Sequence, residues 1–296
     1  MTNSWWEIQV AADSNLEETI FWRMEQFGCK GTASERQQNT INVKAYLPQQ
    51  TSSMLDLAAL SLWVRQDAIS LECGVPVMHW SPIEEEDWSK SWKQHWEITE
   101  IGDRLTIVPA WLEPPASSDR IPLLLDPGVA FGTGGHPTTQ LCLEALEMRV
   151  TPEAAPVIAD IGCGSGILSV ASVLMGARQI YAVDTDSLAM SSSARNCEVN
   201  GISPERIAMA VGSAEKAIEL AKSQPVDGIA CNILAEIIAD LIPKMGPLVA
   251  PHTWGIFSGI LLEQAKAMAD VLEQNGWVVA TLWKRGEWCC FNVRRS

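Results

Sequence analysis

The chain has no apolar run long enough to cross a bilayer, no C-x-x-C pair and no surplus of positive charge. Each absence closes a class of function. A membrane-spanning helix needs about 18–20 consecutive apolar residues, and no stretch here reaches that length. Residues 1–10 lack a basic start followed by an apolar block, so no secretory leader is expected. The eight cysteines are scattered without a C-x-x-C pair, and the four histidines do not gather near them. That pattern predicts reduced thiols in a cytoplasmic protein, without a metal site. Aspartate and glutamate number 36 against 21 lysines and arginines, a net charge of −15. Nucleic-acid binding draws on lysine and arginine to neutralise phosphates, so direct contact with nucleic acid is not expected. An acidic chain suits a basic protein partner better, because complementary potentials speed encounter.

What remains is 296 residues, 47% apolar and without long low-complexity segments, enough for one large or two modest domains. Residues 1–83 read as a domain of their own. Positions 6–10 alternate like a strand, and Ser14 with Glu17 fits a capping box. Leu16, Ile20, Met24 and Phe27 then share a helical face that Gly28 terminates. Strands are expected near 31–36 and 41–47. A helix should start at Ser52 or Ser53 with Leu55, Ala59, Leu62 and Ile69 on its buried face, followed by a strand at 75–80. The order β-α-β-β-α-β predicts a smaller α+β, ferredoxin-like domain, a fold that by itself names no activity. Residues 84–112 read as a connector and candidate hinge. Its tryptophans Trp88, Trp92 and Trp96 recur every fourth position, on one face if helical. That face suits either interdomain packing or a partner contact.

From 113 to 296 apolar strands alternate with helices. Strands are expected near 157–161, 180–184, 206–211, 226–231, 253–258, 277–283 and 288–293. Such alternation predicts an α/β, doubly wound parallel sheet with ligands beyond the carboxyl ends of the strands. The run VIADIGCGSG at 157–166 reads as a buried strand entering a glycine turn, and Asp184 ends the next strand 22 residues after Gly162. Strand, glycine turn, helix, strand and terminal acid make a site for a ribose-bearing cofactor. A dinucleotide turn wants G-x-G-x-x-G, but the third position is Ile167 counted from Gly162 and Ser169 counted from Gly164. A nicotinamide cofactor is therefore disfavoured.

Two further stretches carry chemistry. DPGVAFGTGGHPTT at 126–139 combines a glycine-rich loop with a helix start at Pro137, whose free N–H groups attract a carboxylate. Thr138 or Thr139 is the expected cap, Phe131 a candidate wall near the reacting group, and His136 a loop residue. Asn232, in CNILA at 231–235, falls at the end of a strand beside the same pocket. It is either a helix cap or an amide that orients an acceptor amine, and on the second reading it is the catalytic candidate.

The glycine spacing is similar to the first motif of the S-adenosylmethionine-dependent methyltransferases. Together with DPGVAFGTGGHPTT, Asp184, NILA, the segment WKQHWEITEIGDRLTIVPAW, FSGIL at 257–261 and EWC at 287–289, it resembles the PrmA methyltransferases over roughly residues 84–296. That resemblance implies a Rossmann-like class I methyltransferase domain. It implies S-adenosylmethionine as methyl donor, and Thr139, Gly162, Asp184 and Asn232 as cofactor-binding positions. The substrate it implies is large-subunit ribosomal protein L-eleven, methylated on lysine side chains and the N-terminal α-amine and held by the N-terminal domain. Gly135 departs from the family, which usually has threonine there. The alternative is a methyltransferase acting on a nucleic-acid amine or a glutamine amide. Such enzymes usually carry N-P-P-Y where this chain has Asn232-Ile233-Leu234-Ala235.

Overall fold

Strand β1 (Ser4–Asp13) opens the first unit, and its inward residues Ile8, Val10 and Ala12 are buried while their neighbours are not. Period-two alternation of this kind gives a sheet one core face. The computed structural model describes residues 4–37, 40–49, 52–71, 73–84, 97–116, 118–126, 132 and 134–295. The chain divides into two units, Met1–Trp96 and Glu97–Ser296. The tryptophans Trp88, Trp92 and Trp96, and Phe131, lie outside the described residues.

In the first unit β1 is followed by α1 (Glu17–Gln26), β2 (Lys30–Gln37), β3 (Thr40–Pro48), α2 (Met54–Ser70) and β4 (Val77–Glu84). The strands pair in the order β2-β3-β1-β4, every neighbour antiparallel. This is the double split βαβ arrangement of ferredoxin-like domains. Its core joins Ile41, Val43, Ala45 and Leu47 of β3 to Leu16, Ile20 and Met24 from the α1 segment.

Two local expectations fail here. The box of Ser14 and Glu17 does not form. A 3-10 turn (Ser14–Leu16) precedes α1, and Asp13 Oδ1 accepts from Asn15 N at 2.9 Å, while Glu17 accepts from Ser34 Oγ at 2.5 Å. The strand runs on to Asp13, whose short side chain reaches the N–H two residues ahead. In α2 the buried face is Leu57, Leu60, Val64 and Ala68, whereas Leu55, Leu62 and Ile69 are 82%, 64% and 68% exposed. The segment LDLAALSLWV is apolar nearly all round, so spacing alone does not single out a face. The expected start holds: Ser53 and Asp56 form a capping box.

The second unit begins with a three-stranded sheet, β5 (Thr99–Ile101), β6 (Leu105–Pro109) and β7 (Ile121–Leu125). Helix α3 (Pro137–Glu147) follows. Then come β8 (Val157–Ile161), α4 (Ile167–Met175), β9 (Gln179–Asp184), α5 (Ser187–Val199), β10 (Ile207–Val211), α6 (Ala214–Leu220), β11 (Gly228–Asn232) and α7 (Ala235–Leu241). The chain closes with β12 (Trp254–Leu261), α8 (Ala265–Gln274), β13 (Trp277–Arg285) and β14 (Trp288–Arg295). Strands β8 to β14 form one sheet in the order β10-β9-β8-β11-β12-β14-β13, parallel except for β14, which is antiparallel to both neighbours. All seven expected strands are present. The winding direction switches between β8 and β11, which opens a crevice at their carboxyl ends. One core under that crevice joins Ile161, Ile229, Cys231, Ile238, Phe257, Leu272 and Phe291.

Candidate functional site

The crevice is built from the backbone of β8 outward. Gly162, Gly164 and Gly166 have φ of +77°, +54° and +77°, a region where an L side chain is strained. An added Cβ on Gly162 would lie 2.3 Å from Ile233 Cγ2, and one on Gly166 2.8 Å from Ser193 Oγ. The glycines therefore serve the turn's own packing, and bare backbone facing the crevice follows from it.

Strand β9 fastens this turn. Gly162 N and Cys163 N donate to Val183 O at 2.8 and 3.1 Å. Asp184 Oδ2 accepts from Gly164 N at 2.9 Å, and Oδ1 accepts from Asp186 N at 3.0 Å. Each carboxylate oxygen keeps a further lone pair, so Asp184 is aligned before any ligand arrives. From behind, Ser193 Oγ donates to Gly164 O and Asn196 Nδ2 to Ser165 O, both at 2.8 Å. Asn196 Oδ1 also accepts from Asp126 N at 2.8 Å, which ties the end of β7 to the turn. Sequence reasoning missed Ser193 and Asn196. Their signal was polar residues at helical spacing, with Asn200 continuing the row, on the buried side of α5.

At the opposite wall His136, not Thr138 or Thr139, is the N-cap of α3. Proline at the first helical position puts the residue before it in the capping place. Thr138 N donates to His136 Nδ1 at 3.4 Å, and Nδ1 lies 2.7 Å from Thr138 Oγ1. Asn232 is not a cap either, because Leu234 holds that position for α7. Instead Asn232 Nδ2 donates to Thr139 Oγ1 at 3.4 Å, while its Oδ1 is buried without a hydrogen-bond partner. Gly135 has no described atom within 4 Å of where a Cβ would go, so a β-carbon there meets no described neighbour.

These walls enclose about 370 Å³, lined by His136, Thr138, Gly162, Gly164, Asp184 and Asn232, with Ile233, Leu234, Ile237, Gly259 and Trp288 supplying the remainder. Of the residues singled out in the sequence, Gly162, Asp184 and Asn232 line it together. Thr139 is fully buried behind the wall and meets the site through Asn232. Below the turn lies Asp160, buried with Ser169 Oγ donating to it at 2.6 Å. Burial pushes this carboxyl up to about 7, against the Ser169 hydrogen bond, and the nearby Asp184 adds to the rise. Among the described residues no group of three or more His, Cys, Asp or Glu side chains could hold a metal ion. No helix among them is long and apolar enough to cross a membrane.

A seven-stranded sheet with one reversed strand, a glycine turn lacking the dinucleotide third glycine, an acid ending β9 and an asparagine ending β11 define a Rossmann-like methyltransferase. Comparison with known proteins narrows this. The model of the family described as ribosomal protein L11 methyltransferase (PrmA) matches residues 4–296, and the chain belongs to that family. Relatives named ribosomal protein L11 methyltransferase are 54% identical in Cyanothece sp. (strain PCC 7425 / ATCC 29141), covering 100% of both chains. The relative of that name in Thermosynechococcus vestitus (strain NIES-2133 / IAM M-273 / BP-1) is 48% identical over 99% of this chain and 98% of its own. The crystal structure of a ribosomal protein L11 methylase from Lactobacillus delbrueckii subsp. bulgaricus is 33% identical, with a TM-score of 0.60 over 68% of this chain and 99% of that one. The enzyme is accordingly a transferase that takes its methyl group from S-adenosylmethionine.

Proposed function

We propose that this chain methylates amino groups of ribosomal protein L11, its lysine side chains and N-terminal α-amine, in the cytoplasm. Membership of the family along nearly the whole chain carries this reading. The bound cofactor supplies an electrophilic methyl group on a sulfonium centre. Asp184 would accept from the ribose hydroxyls with the lone pairs its backbone contacts leave open. Gly162 and Gly164 let the main chain lie against the cofactor, and Thr139 holds the Asn232 amide in place. Asn232, whose Oδ1 has no partner within the protein, would accept an N–H of the acceptor amine and so orient it for transfer.

Among the described residues no strong base lines the pocket. Keeping a lysine amine neutral at pH 7 costs about 4–5 kcal/mol. The apolar lining of Ile233, Leu234, Ile237 and Trp288 lowers that cost by disfavouring the ammonium form. The decisive test incubates the purified chain with labelled S-adenosylmethionine and an undermethylated ribosomal protein and RNA mixture. Label is expected in one small protein. Label in RNA would overturn the reading.

A further inference from the structure

The hairpin of β13 and β14 turns through Gly286 and Glu287, so Arg285 and Trp288 are cross-strand partners at its tip. Each grips the same helix. Arg285 Nη1 donates to Gln140 Oε1 at 2.9 Å, and Nη2 donates to both oxygens of Glu144 at 3.0 and 3.1 Å. Gln140 Nε2 in turn donates to Gly135 O at 3.4 Å. The Trp288 ring packs edge-to-face on His136, with centroids 5.0 Å apart and planes at 69°. Glu287 O accepts from Leu262 N at 2.8 Å, which pins the tip to the end of β12.

The sheet order separates the ends of the pocket. Asp184 ends β9 and Trp288 begins β14, four strand positions away, with Asn232 on β11 between them. At about 4.8 Å per strand that is roughly 19 Å. The Trp288 end therefore faces away from the ribose, on the acceptor side of Asn232. Arg285 itself does not line the pocket. Its partner Glu144 is only three-quarters buried, and a pair that open adds little stability. Its geometry matters more, because three hydrogen bonds from one planar fork fix a direction that a lysine does not.

We propose that Arg285 is a positioning residue for the acceptor amine, acting by clasping the hairpin tip to α3 so that Trp288 and His136 keep their places at the pocket mouth. This rests on the pocket being the methyl-transfer site. The first arm needs no substrate. In protein labelled with 5-fluorotryptophan, the Trp288 resonance is assigned by its loss in Trp288→Phe. Arg285→Ala and Arg285→Lys are both expected to shift or broaden it, and an unmoved resonance overturns the clasp.

The second arm is kinetic. KM for unmethylated L11 should rise, or kcat fall, roughly tenfold or more in Arg285→Ala, as expected for a displaced reacting partner. Affinity for S-adenosylhomocysteine should stay within about twofold, since the cofactor end is untouched. In a Trp288→Ala background the same change should cost less than about twofold, because coupled residues are not additive. Full multiplicative losses, or a parallel drop in S-adenosylhomocysteine affinity, would show a merely structural role. If wild-type protein leaves L11 unmethylated, the functional reading falls, while the fluorine signal still decides the clasp.

Discussion

Helices α2 and α4 are both rich in apolar residues, yet they spend them differently. In the second unit α4 buries Ile167, Leu168, Val170, Ala171 and Met175, because it lies between its sheet and flanking elements. In the first unit α2 buries only one face and turns Leu55, Leu62 and Ile69 outward. A helix exposes whatever apolar residues lie off its packed face. The comparison teaches that apolar content reports burial only where packing covers both sides, and that one helix of this chain can hold both silent and structural leucines.

The largest effect is expected inside α2 itself. Leu57→Ala should lower unfolding free energy by about 2–5 kcal/mol in denaturant titration, the range for a buried leucine. A negligible loss would mean the core face has been misassigned. In the other unit, Asp184→Ala should weaken S-adenosylhomocysteine binding by about 1.5–3 kcal/mol, roughly ten- to 150-fold by calorimetry. Unchanged affinity would sink the ribose assignment. Gly162→Ala should destabilise by at least about 1–2 kcal/mol, through its left-handed φ and the clash of the new Cβ with Ile233. Trimming its neighbour in an Ile233→Ala background should recover part of that loss, and no recovery would leave strain as the whole cause.

In the second unit the pH response centres on Asp160. Asp160 sits at about 7 when folded, above its ordinary 3.8, so the folded state holds this proton more tightly than the unfolded chain. Its stability contribution is complete below pH 3.8 and is lost as pH rises toward 7. Asp160→Asn should flatten that part of the stability–pH curve, as read by thermal unfolding at several pH values. An unchanged slope would assign it to other groups. The smallest effect returns to α2: Leu55→Ala should stay within about 0.5 kcal/mol of wild type. A loss matching Leu57→Ala would erase the contrast between its two faces.

Much of the catalytic unit was legible because its signals are local. Strands buried on both faces read as unbroken apolar runs, and a glycine turn announces itself by composition. Asp184 and Asn232 were found because each ends a strand. The α2 face was not legible, since its apolar residues lack a preferred side. The caps at Asp13 and His136 were displaced by a strand running three residues past the expected end at Val10 and by Pro137 taking the first helical position. Trp288 escaped notice as a pocket residue because nothing in its neighbourhood shows that β14 inserts between β12 and β13.

By itself the sequence determined the succession of strands and helices, the turn that exposes backbone to a ligand, and the acidic balance of the whole. These depend on periodicity, backbone sterics and charge, which act over a few residues or sum over all of them. Only the tertiary structure decided which face of α2 is covered, and that Asn232 meets Thr139 across 93 residues. It alone brought Arg285 and Trp288 to the helix that begins at Pro137. Such meetings follow from the order in which strands join the sheet, and that order is set by the packing of the whole chain rather than by any segment within it.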